Sequence, residues 1–182
     1  MRSIIVTGYA RSGTSYVASV LDHLGVDMGS NWRPADEANK AGYFENSDFV
    51  EANIKILEEN KKPDLGSIRK KYESELWGCK DPRFIDTIGY WAFKNPHIVV
   101  VLRNPDSIAK SVCHRDNGKY GPEKEYNVVM KDILKTYGKI PNLMKYPIFF
   151  YNFEERPDKE LAEFLGLEWK EHDLYKPELK NF

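Results

Sequence analysis

Residues 3–15 read SIIVTGYARSGTS, and this stretch decides the fold. Its first five residues form an apolar, β-branched run that predicts a buried strand. Beyond the loop, apolar residues recur with the spacing of one helix face: Val17, Val20, Leu21 and Leu24. Gly25 follows these residues and can end the helix. A strand, a glycine-containing loop and a helix are therefore predicted in direct succession.

The loop between this strand and this helix has the composition of an anion-binding loop. Gly8 and Gly13 allow the backbone to curl so that successive N–H groups point inward. The N-terminus of the following helix adds a partial positive charge, and Arg11 adds a full one. Three hydroxyl donors flank the second glycine: Ser12, Thr14 and Ser15. The alternative interpretation is an ordinary strand-to-helix turn that is rich in Gly and Ser.

The spacing of the two glycines matches the loop of P-loop nucleoside triphosphatases at all positions but one. Thr14 stands where those enzymes place a lysine that contacts the β- and γ-phosphates. They also need an acidic residue after a strand to hold Mg²⁺, whereas the strongest strand pattern, residues 97–102 (HIVVVL), is followed by Arg103. These residues favour a highly charged anion that is held by arginine and backbone groups without a metal.

The rest of the chain alternates further strand and helix patterns. Strands are predicted at 76–79 and 147–151, and helices from Asn46 or Ser47, over 85–93, from Pro105 through Ser111, over 126–137 and over 157–165. This alternation predicts an α/β fold with an open, mainly parallel central sheet flanked by helices. Such a sheet binds its ligand at the carboxyl ends of the strands. We expect residues 1–182 to form a single domain.

The composition excludes several classes of protein. Of the 182 residues, 41% are hydrophobic and 30% are charged, which excludes a disordered tail and a membrane bundle. The 27 Lys and Arg against 28 Asp and Glu give a net charge of −1, so no nucleic-acid partner is expected. Cys79 and Cys113 lack the spacing of a zinc site, and we expect free thiols in a reducing compartment. Because no signal-peptide or membrane-spanning run is present, we expect a cytoplasmic protein without stable membrane insertion.

Two segments together resemble the sulfotransferases that use 3′-phosphoadenosine 5′-phosphosulfate (PAPS). Residues 11–15 (RSGTS) resemble the family's 5′-phosphosulfate loop, with Arg11 in place of the commoner lysine. Residues 101–111 (VLRNPDSIAKS) resemble its 3′-phosphate motif, a strand followed by Arg-Asn-Pro and then by a serine eight residues after the arginine. Arg103 leaves the strand end and Ser111 lies two turns into the next helix, so both can reach one phosphate.

Weaker likenesses extend over most of the chain. Residues 42–46 (GYFEN) and 78–84 (GCKDPRF) are similar to segments of bacterial and carbohydrate-type members, and residues 151–154 and 163–167 to the family's late strand and helix. The resemblance implies a P-loop-NTPase-like sulfotransferase fold, PAPS as the sulfonate donor and no metal. The cofactor-binding residues that it implies are Arg11, Ser12, Gly13, Thr14, Ser15, Arg103 and Ser111.

Sulfuryl transfer needs cations at the sulfonate and the leaving phosphate, and a base for the acceptor. Arg11 is the candidate that stabilises the leaving group, because its planar guanidinium can bridge two oxygens. The resemblance implies that Lys80 contacts the sulfonate or the acceptor. It also implies that Glu45 is the base, since carbohydrate-type members use a glutamate. The alternative for Glu45 is a carboxylate that only stabilises a helix N-terminus.

Two further residues compete with Glu45 as the base. Asp81 follows a predicted strand, but we expect its neighbour Lys80 to lower the pKa of Asp81 and weaken it as a base. His114 lies one turn past Ser111 and has the better intrinsic pKa. An ordinary, partly exposed helix histidine is the simpler interpretation of His114.

The chain departs from the family pattern in three respects. Lys80 is followed by Asp-Pro, so the histidine that serves as base in animal cytosolic members is absent. The Arg-Lys-Gly nucleotide clamp near the C-terminus is not visible, and Lys176 or Lys180 are candidates to take its place. The chain also looks short for the family, so little material remains to enclose an acceptor. The sequence does not show whether that acceptor is a small molecule or a glycan. A P-loop ATP-dependent kinase and a catalytically silent nucleotide-binding protein remain alternatives.

Overall fold

The computed structural model describes residues 2–32, 42–59, 63–72, 74–115 and 125–175. In these residues four strands are present: β1 (Arg2–Gly8), β2 (Leu76–Lys80), β3 (Pro96–Leu102) and β4 (Ile148–Asn152). They pair in parallel in the order β2-β1-β3-β4. The predicted α/β fold with a parallel central sheet flanked by helices is confirmed.

The helices cover both faces of this sheet. They are α1 (Thr14–His23), α2 (Ser47–Glu58), α3 (Leu65–Lys70), α4 (Phe84–Thr87), α5 (Pro105–Arg115), α6 (Tyr126–Tyr137) and α7 (Asp158–Leu165). Short 3-10 turns follow α4 and α6, at Ile88–Tyr90 and Ile140–Leu143. Gly166 ends α7 in the left-handed conformation, as its position after an amphipathic run predicts.

The helix predicted over 85–93 is wrong in its second half. Helix α4 ends at Thr87, and Trp91 is extended with a ψ of 129°. The side chains of Trp91 and Phe93 stack with ring centroids 5.3 Å apart, and both rings also lie against Phe49. An α-helix does not place residues two apart on one face, so aromatic packing overrides the local helix preference here.

Both faces of the sheet are buried, as a central parallel sheet requires. Alternate residues of β1 point to opposite sides: Ile4 and Val6 pack with α1 and α7, and Ile5 packs with α2 and α4. All three side chains are fully buried. Burial of each side chain contributes about 1.5–3 kcal/mol to the stability of the fold. The strand that precedes the loop from Gly8 to Gly13, the glycine loop, is therefore firmly anchored.

The strand register brings the loops after the strands to one edge of the sheet. Val6 lies opposite Lys80, and Gly8 lies opposite Val101. On the other side of β3, Leu102 lies opposite Asn152. The residues that follow all four strands therefore meet at this edge.

Two further expectations concern cysteines and membranes. Neither Cys79 nor Cys113 forms a disulfide bond, and burial raises the pKa of Cys79 well above its ordinary value. Among the described helices, none combines the length and the apolar character needed to cross a bilayer.

Candidate functional site

The loop from Gly8 to Gly13 joins β1 to α1 and curls tightly. Arg11 has a φ of 72° and Gly13 a φ of 98°, both in the left-handed region. The N–H of Ser12 donates to the carbonyl of Tyr9 at 3.1 Å, which closes the turn. The hydroxyl of Ser12 is fully buried and has no hydrogen-bond partner among the described residues. A buried, unpartnered donor beside a helix N-terminus suits an anionic ligand.

Gly13 is required by its surroundings as well as by its backbone angles. A Cβ atom at this position would lie 2.1 Å from Cδ2 of Phe153, which follows β4. Phe153 therefore lies directly against the loop, a contact that sequence reasoning missed. Its position just past a strand end was the signal that could have found it, since such positions line sites in parallel sheets.

The two sequence motifs meet in space. The Arg11 Nε donates to the Ser111 hydroxyl at 3.1 Å, and the Arg103 Nη1 donates to the Arg11 carbonyl at 3.1 Å. Ser111 is 2% exposed and lies two turns into α5, where the motif predicts it. Arg11, Arg103 and Ser111 thus form one cluster at the strand ends.

Arg103 is held in place from several sides. The Tyr137 hydroxyl donates to the Arg103 carbonyl at 3.1 Å and accepts from its N–H at 3.4 Å. The guanidinium lies over the Phe153 ring, 5.3 Å from its centroid. Its Nε is buried without a hydrogen bond in the described residues, and the Glu154 carboxylate lies 3.8 Å away. A rigid guanidinium with a donor still to be satisfied is suited to a phosphate.

Lys80 and Glu45 form a buried ion pair at the end of β2. The Lys80 Nζ donates to Glu45 Oε1 at 2.7 Å, to the Tyr43 carbonyl at 3.0 Å and to the Ser15 hydroxyl at 3.3 Å. Lys80 is 2% exposed and Glu45 6%. Burial lowers the pKa of Lys80, and the Glu45 charge opposes this shift. The pair connects the strand end to the glycine loop through Ser15.

The backbone before Glu45 is strained. Phe44 has a φ of 51°, a conformation that is uncommon for a bulky residue. The Phe44 ring packs on Trp32 with the centroids 4.6 Å apart. Asn46 then caps α2, because its side-chain oxygen accepts from the N–H of Asp48 at 3.0 Å. The strained turn and the cap together direct Glu45 toward Lys80.

Asp81 faces the protein interior instead of the strand-end cleft. One of its oxygens accepts from the N–H and the Nη1 of Arg83, both at 2.9 Å. The other accepts from the Asn53 amide at 2.9 Å. Asp81 is fully buried, and burial raises its pKa although Arg83 opposes the shift. The prediction that Lys80 lowers the pKa of Asp81 is therefore wrong, because loss of hydration outweighs the neighbouring charges.

Three other candidates lie outside the described residues. They are the side chain of His114 and the residues Lys176 and Lys180. Among the described residues, no group of three or more His, Cys, Asp or Glu side chains is arranged to hold a metal ion. At the strand ends, the structure thus brings together the glycine loop, the Arg103 guanidinium and the buried Lys80–Glu45 pair.

The fold is similar to those of several solved structures. A sulfotransferase domain from the curacin biosynthetic pathway matches 97% of this chain and 75% of its own, with a TM-score of 0.54 and 16% identity. Shikimate kinase from Bacteroides thetaiotaomicron matches 91% of this chain and 98% of its own, with a TM-score of 0.51 and 15% identity. A retinol dehydratase, solved with androsterone and the inactive cofactor PAP, matches 92% of this chain and 60% of its own, with a TM-score of 0.47 and 15% identity.

Comparison by sequence gives a different result. No protein-family model matches the chain, and no curated protein matches it. At 15–16% identity, the structural likenesses show the fold alone. The chain has the P-loop-type α/β fold that the curacin sulfotransferase domain and shikimate kinase share.

Proposed function

We propose that the chain is a sulfotransferase that moves a sulfuryl group from PAPS to a hydroxyl or amine of a small-molecule or glycan acceptor. The transfer is a metal-independent, in-line displacement. The observation that carries the proposal is the cluster of Arg11, Arg103 and Ser111, which joins both PAPS-type motifs at one edge of the sheet. Cys79 and Cys113 form no disulfide bond, in agreement with the cytoplasmic location that the sequence predicts.

The residues of the cluster divide between the two ends of the nucleotide. Arg103 and Ser111 bind the 3′-phosphate, because both contact Arg11: the Arg103 guanidinium donates to the Arg11 carbonyl, and the Ser111 hydroxyl accepts from the Arg11 side chain. The 5′-phosphosulfate lies on the glycine loop and takes donors from Ser12, Gly13, Thr14 and Ser15. Arg11 bridges the two ends, since its side chain reaches Ser111 while its backbone belongs to the loop.

The chemical step uses Glu45, Lys80 and Arg11. The acceptor oxygen attacks sulfur, a new oxygen–sulfur bond forms, and the bond from sulfur to the 5′-phosphate oxygen breaks. Glu45 takes the acceptor proton, and Lys80 balances charge on the sulfonate oxygens. 3′-phosphoadenosine 5′-phosphate (PAP) leaves with Arg11 stabilising its 5′-phosphate. The 2.7 Å contact places Glu45 beside Lys80, and the assignment requires Lys80 to turn from Glu45 to the sulfonate oxygens, because an ion-paired carboxylate is a weaker base.

Two alternatives are separated from this proposal by experiment. The likeness to shikimate kinase favours a P-loop kinase at the level of the fold, but Thr14 replaces the lysine that such a kinase needs. A catalytically silent protein would keep PAP binding and lose turnover. Transfer of labelled sulfonate from PAPS to a panel of hydroxylated acceptors is measured with chelator present, and Mg-ATP is tested in a parallel assay without chelator. Together the two assays distinguish all three. Turnover with PAPS in chelator supports the proposal, and turnover with Mg-ATP alone contradicts it.

Arg103→Ala tests the assignment of the 3′-phosphate. Loss of one charge-assisted contact costs about 1.5–3 kcal/mol of nucleotide binding, or about 10- to 150-fold in affinity. Wild-type protein should prefer PAP over the nucleotide without a 3′-phosphate, and the variant should lose most of that preference. Lys110→Ala is the matched control, because Lys110 is an exposed cation of α5, the helix that follows Arg103. An unchanged preference in Arg103→Ala would show that the 3′-phosphate binds elsewhere.

A further inference from the structure

A buried carboxylate joins three parts of the chain next to the glycine loop. Asp158, in the first turn of α7, accepts a hydrogen bond from the Tyr16 hydroxyl at 2.7 Å. Its other oxygen accepts from the hydroxyl of Tyr151 in β4. The His172 Nε2 lies 3.6 Å from the oxygen that Tyr16 contacts. We call this cluster of Asp158, Tyr16, Tyr151 and His172 the Asp158 cluster.

The two tyrosines remain hydrogen-bond donors across the physiological range. Burial raises the pKa of Tyr16 and of Tyr151 well above the ordinary value, and the Asp158 carboxylate adds to both shifts. Asp158 is 8% exposed, and its place at a helix N-terminus stabilises the charge. Charge-assisted bonds of this kind are stronger than neutral ones, so the cluster is a firm junction.

The junction holds an extended C-terminal segment, residues 167–175, which we call the strap. Leu167, Trp169 and Leu174 of the strap pack with Val20 and Leu24 of α1. The ring of His23, at the end of α1, lies 3.2 Å from the carbonyl of Glu171. His172 is 7% exposed at its side chain and therefore forms the buried centre of the strap's contact with Asp158.

The far end of the strap reaches the glycine loop through aromatic rings. Tyr175 meets Tyr16 edge-on at 5.8 Å between centroids and lies 6.5 Å from Phe153. Tyr16 and Phe153 are themselves edge-on at 5.9 Å. Phe153 in turn fills the space beside Gly13 and lies under the Arg103 guanidinium. A continuous set of contacts therefore leads from the strap to the loop and to Arg103.

Tyr16 connects the two ends of this set of contacts, the strap and the glycine loop. It lies in the first turn of α1, three residues after Gly13, while its hydroxyl is bonded to Asp158. Movement of the strap away from Asp158 would release the ring that supports Phe153. Movement of the loop would break the bond that anchors the strap.

We propose that Asp158 is a positioning residue that couples the strap to the glycine loop, so that the docked strap supports the nucleotide-binding conformation and bound nucleotide in turn stabilises the docked strap. Such coupling is reciprocal by thermodynamic necessity. The proposal rests on the proposed function only in the choice of PAP as the nucleotide probe.

Tyr16→Phe is the sharpest test, because it removes the hydroxyl and keeps the ring. Asp158→Asn removes the charge from the same junction. Tyr126→Phe is the matched control, since it removes another tyrosine hydroxyl that donates to an aspartate, Asp106, at 2.7 Å. We expect the Kd for PAP to rise about fivefold or more in the first two variants, the size of a typical coupling between sites, and to stay within about twofold in the control.

Hydrogen–deuterium exchange of residues 167–175 supplies the reciprocal measurement. In wild-type protein and in Tyr126→Phe, PAP should slow exchange in the strap, and in Tyr16→Phe this protection should be lost. A cluster that serves stability alone would lower Tm and leave both the Kd for PAP and the strap protection unchanged, which would overturn the proposal. If Asp158→Asn fails to fold, Tyr16→Phe decides alone.

An error in the proposed function would give a different experimental result from an error in the proposed coupling. If wild-type protein does not bind PAP, that function is wrong, and ligand-free exchange at residues 8–16 decides the coupling. Faster exchange there in Tyr16→Phe than in Tyr126→Phe supports the coupling, and equal exchange overturns it.

Discussion

At the scale of single residues, a variant of the buried pair of Glu45 and Lys80 can distinguish a role in the chemical step from a role in nucleotide binding. We expect Glu45→Gln to lower the maximal transfer rate by about 10²–10⁴, the usual effect of losing a general base, while the Kd for PAP stays nearly unchanged. Because the Lys80 charge loses its partner, the free energy of unfolding should also fall, by about 3–5 kcal/mol. Transfer rates at saturating PAPS and urea unfolding measure the two effects.

Two further variants serve as controls for this prediction. Glu45→Asp preserves the charge and shortens the side chain, so it should retain more stability than Glu45→Gln and still lose rate. Glu51→Gln removes an exposed glutamate of α2 that pairs with Lys55, and we expect it to change neither quantity. A rate near wild type in Glu45→Gln would move the base to another residue.

Gly13→Ala should damage the loop for two separate reasons. A left-handed φ costs a non-glycine residue about 1–2 kcal/mol, and the new Cβ would meet the Phe153 ring 2.1 Å away. Overpacking adds about 1–3 kcal/mol, so we expect a lower Tm together with weaker PAP binding. Gly89→Ala is the matched control, because no atom lies within 4 Å of a Cβ built there. The prediction fails if Gly13→Ala keeps the wild-type Tm.

Which site residues could be predicted depends on how far each contact reaches along the chain. Gly8, Arg11, Arg103 and Ser111 stand in local motifs, and their approach follows from two adjacent parallel strands. The position of Phe153 after a predicted strand places it at this edge of the sheet, but the packing of its ring on Gly13 depends on tertiary docking, which the sequence does not show. Burial of Asp81 was missed for the same reason, because its partner Asn53 comes from α2.

At the scale of elements, α2 is held in place at its first turn. The Tyr72 hydroxyl and the Lys71 ammonium contact the Asp48 carboxylate, and these contacts hold the pKa of Asp48 below its ordinary 3.8. The unfolded chain binds more protons at Asp48 in acid than the folded protein does. The stabilisation is therefore complete above the unfolded pKa and is lost as the pH falls through the lower, folded pKa.

Asp48→Asn measures this contribution. We expect the variant to lose about 1 kcal/mol of unfolding free energy at pH 7, the size of an exposed ion pair with a favourable helix dipole. The difference from wild type should shrink as the pH falls below 3.8. Glu163→Gln, at an exposed position of α7, should show no such trend. Urea unfolding at several pH values gives both curves, and a difference that grows in acid would contradict the assignment.

The elements themselves were predicted with uneven success. The four strand patterns were found because buried parallel strands are apolar on both faces, which makes their runs conspicuous. Helix α3 (Leu65–Lys70) was not predicted, since it is short and has few apolar residues. The stretch 85–93 failed because the stacked rings of Trp91 and Phe93 favour an extended backbone that local periodicity does not reveal.

At the scale of the whole molecule, the helices on both faces pack against one sheet. We therefore expect residues 1–182 to unfold as one domain. Circular dichroism and tryptophan fluorescence should then give coincident transitions in denaturant. PAP at 100 times its Kd should stabilise the folded state by about 2.7 kcal/mol, which corresponds to about 5–10 °C in Tm. Mg-ATP should give a much smaller shift. Separate transitions would show two folding units, and a larger shift with Mg-ATP would favour the kinase.

The strand order has a consequence for how the protein is made. β1 is synthesised first but lies inside the sheet, and its neighbours begin only at Leu76 and Pro96. On the ribosome, the apolar run that precedes the glycine loop therefore has no strand partner until Leu76–Lys80 and Pro96–Leu102 have been translated. Such non-local pairing makes folding slow, and it leaves the apolar surface and the unpaired backbone of the strand exposed to other chains. The glycine loop precedes β2 and β3 in the chain, but it acquires its shape only after both strands have paired with β1.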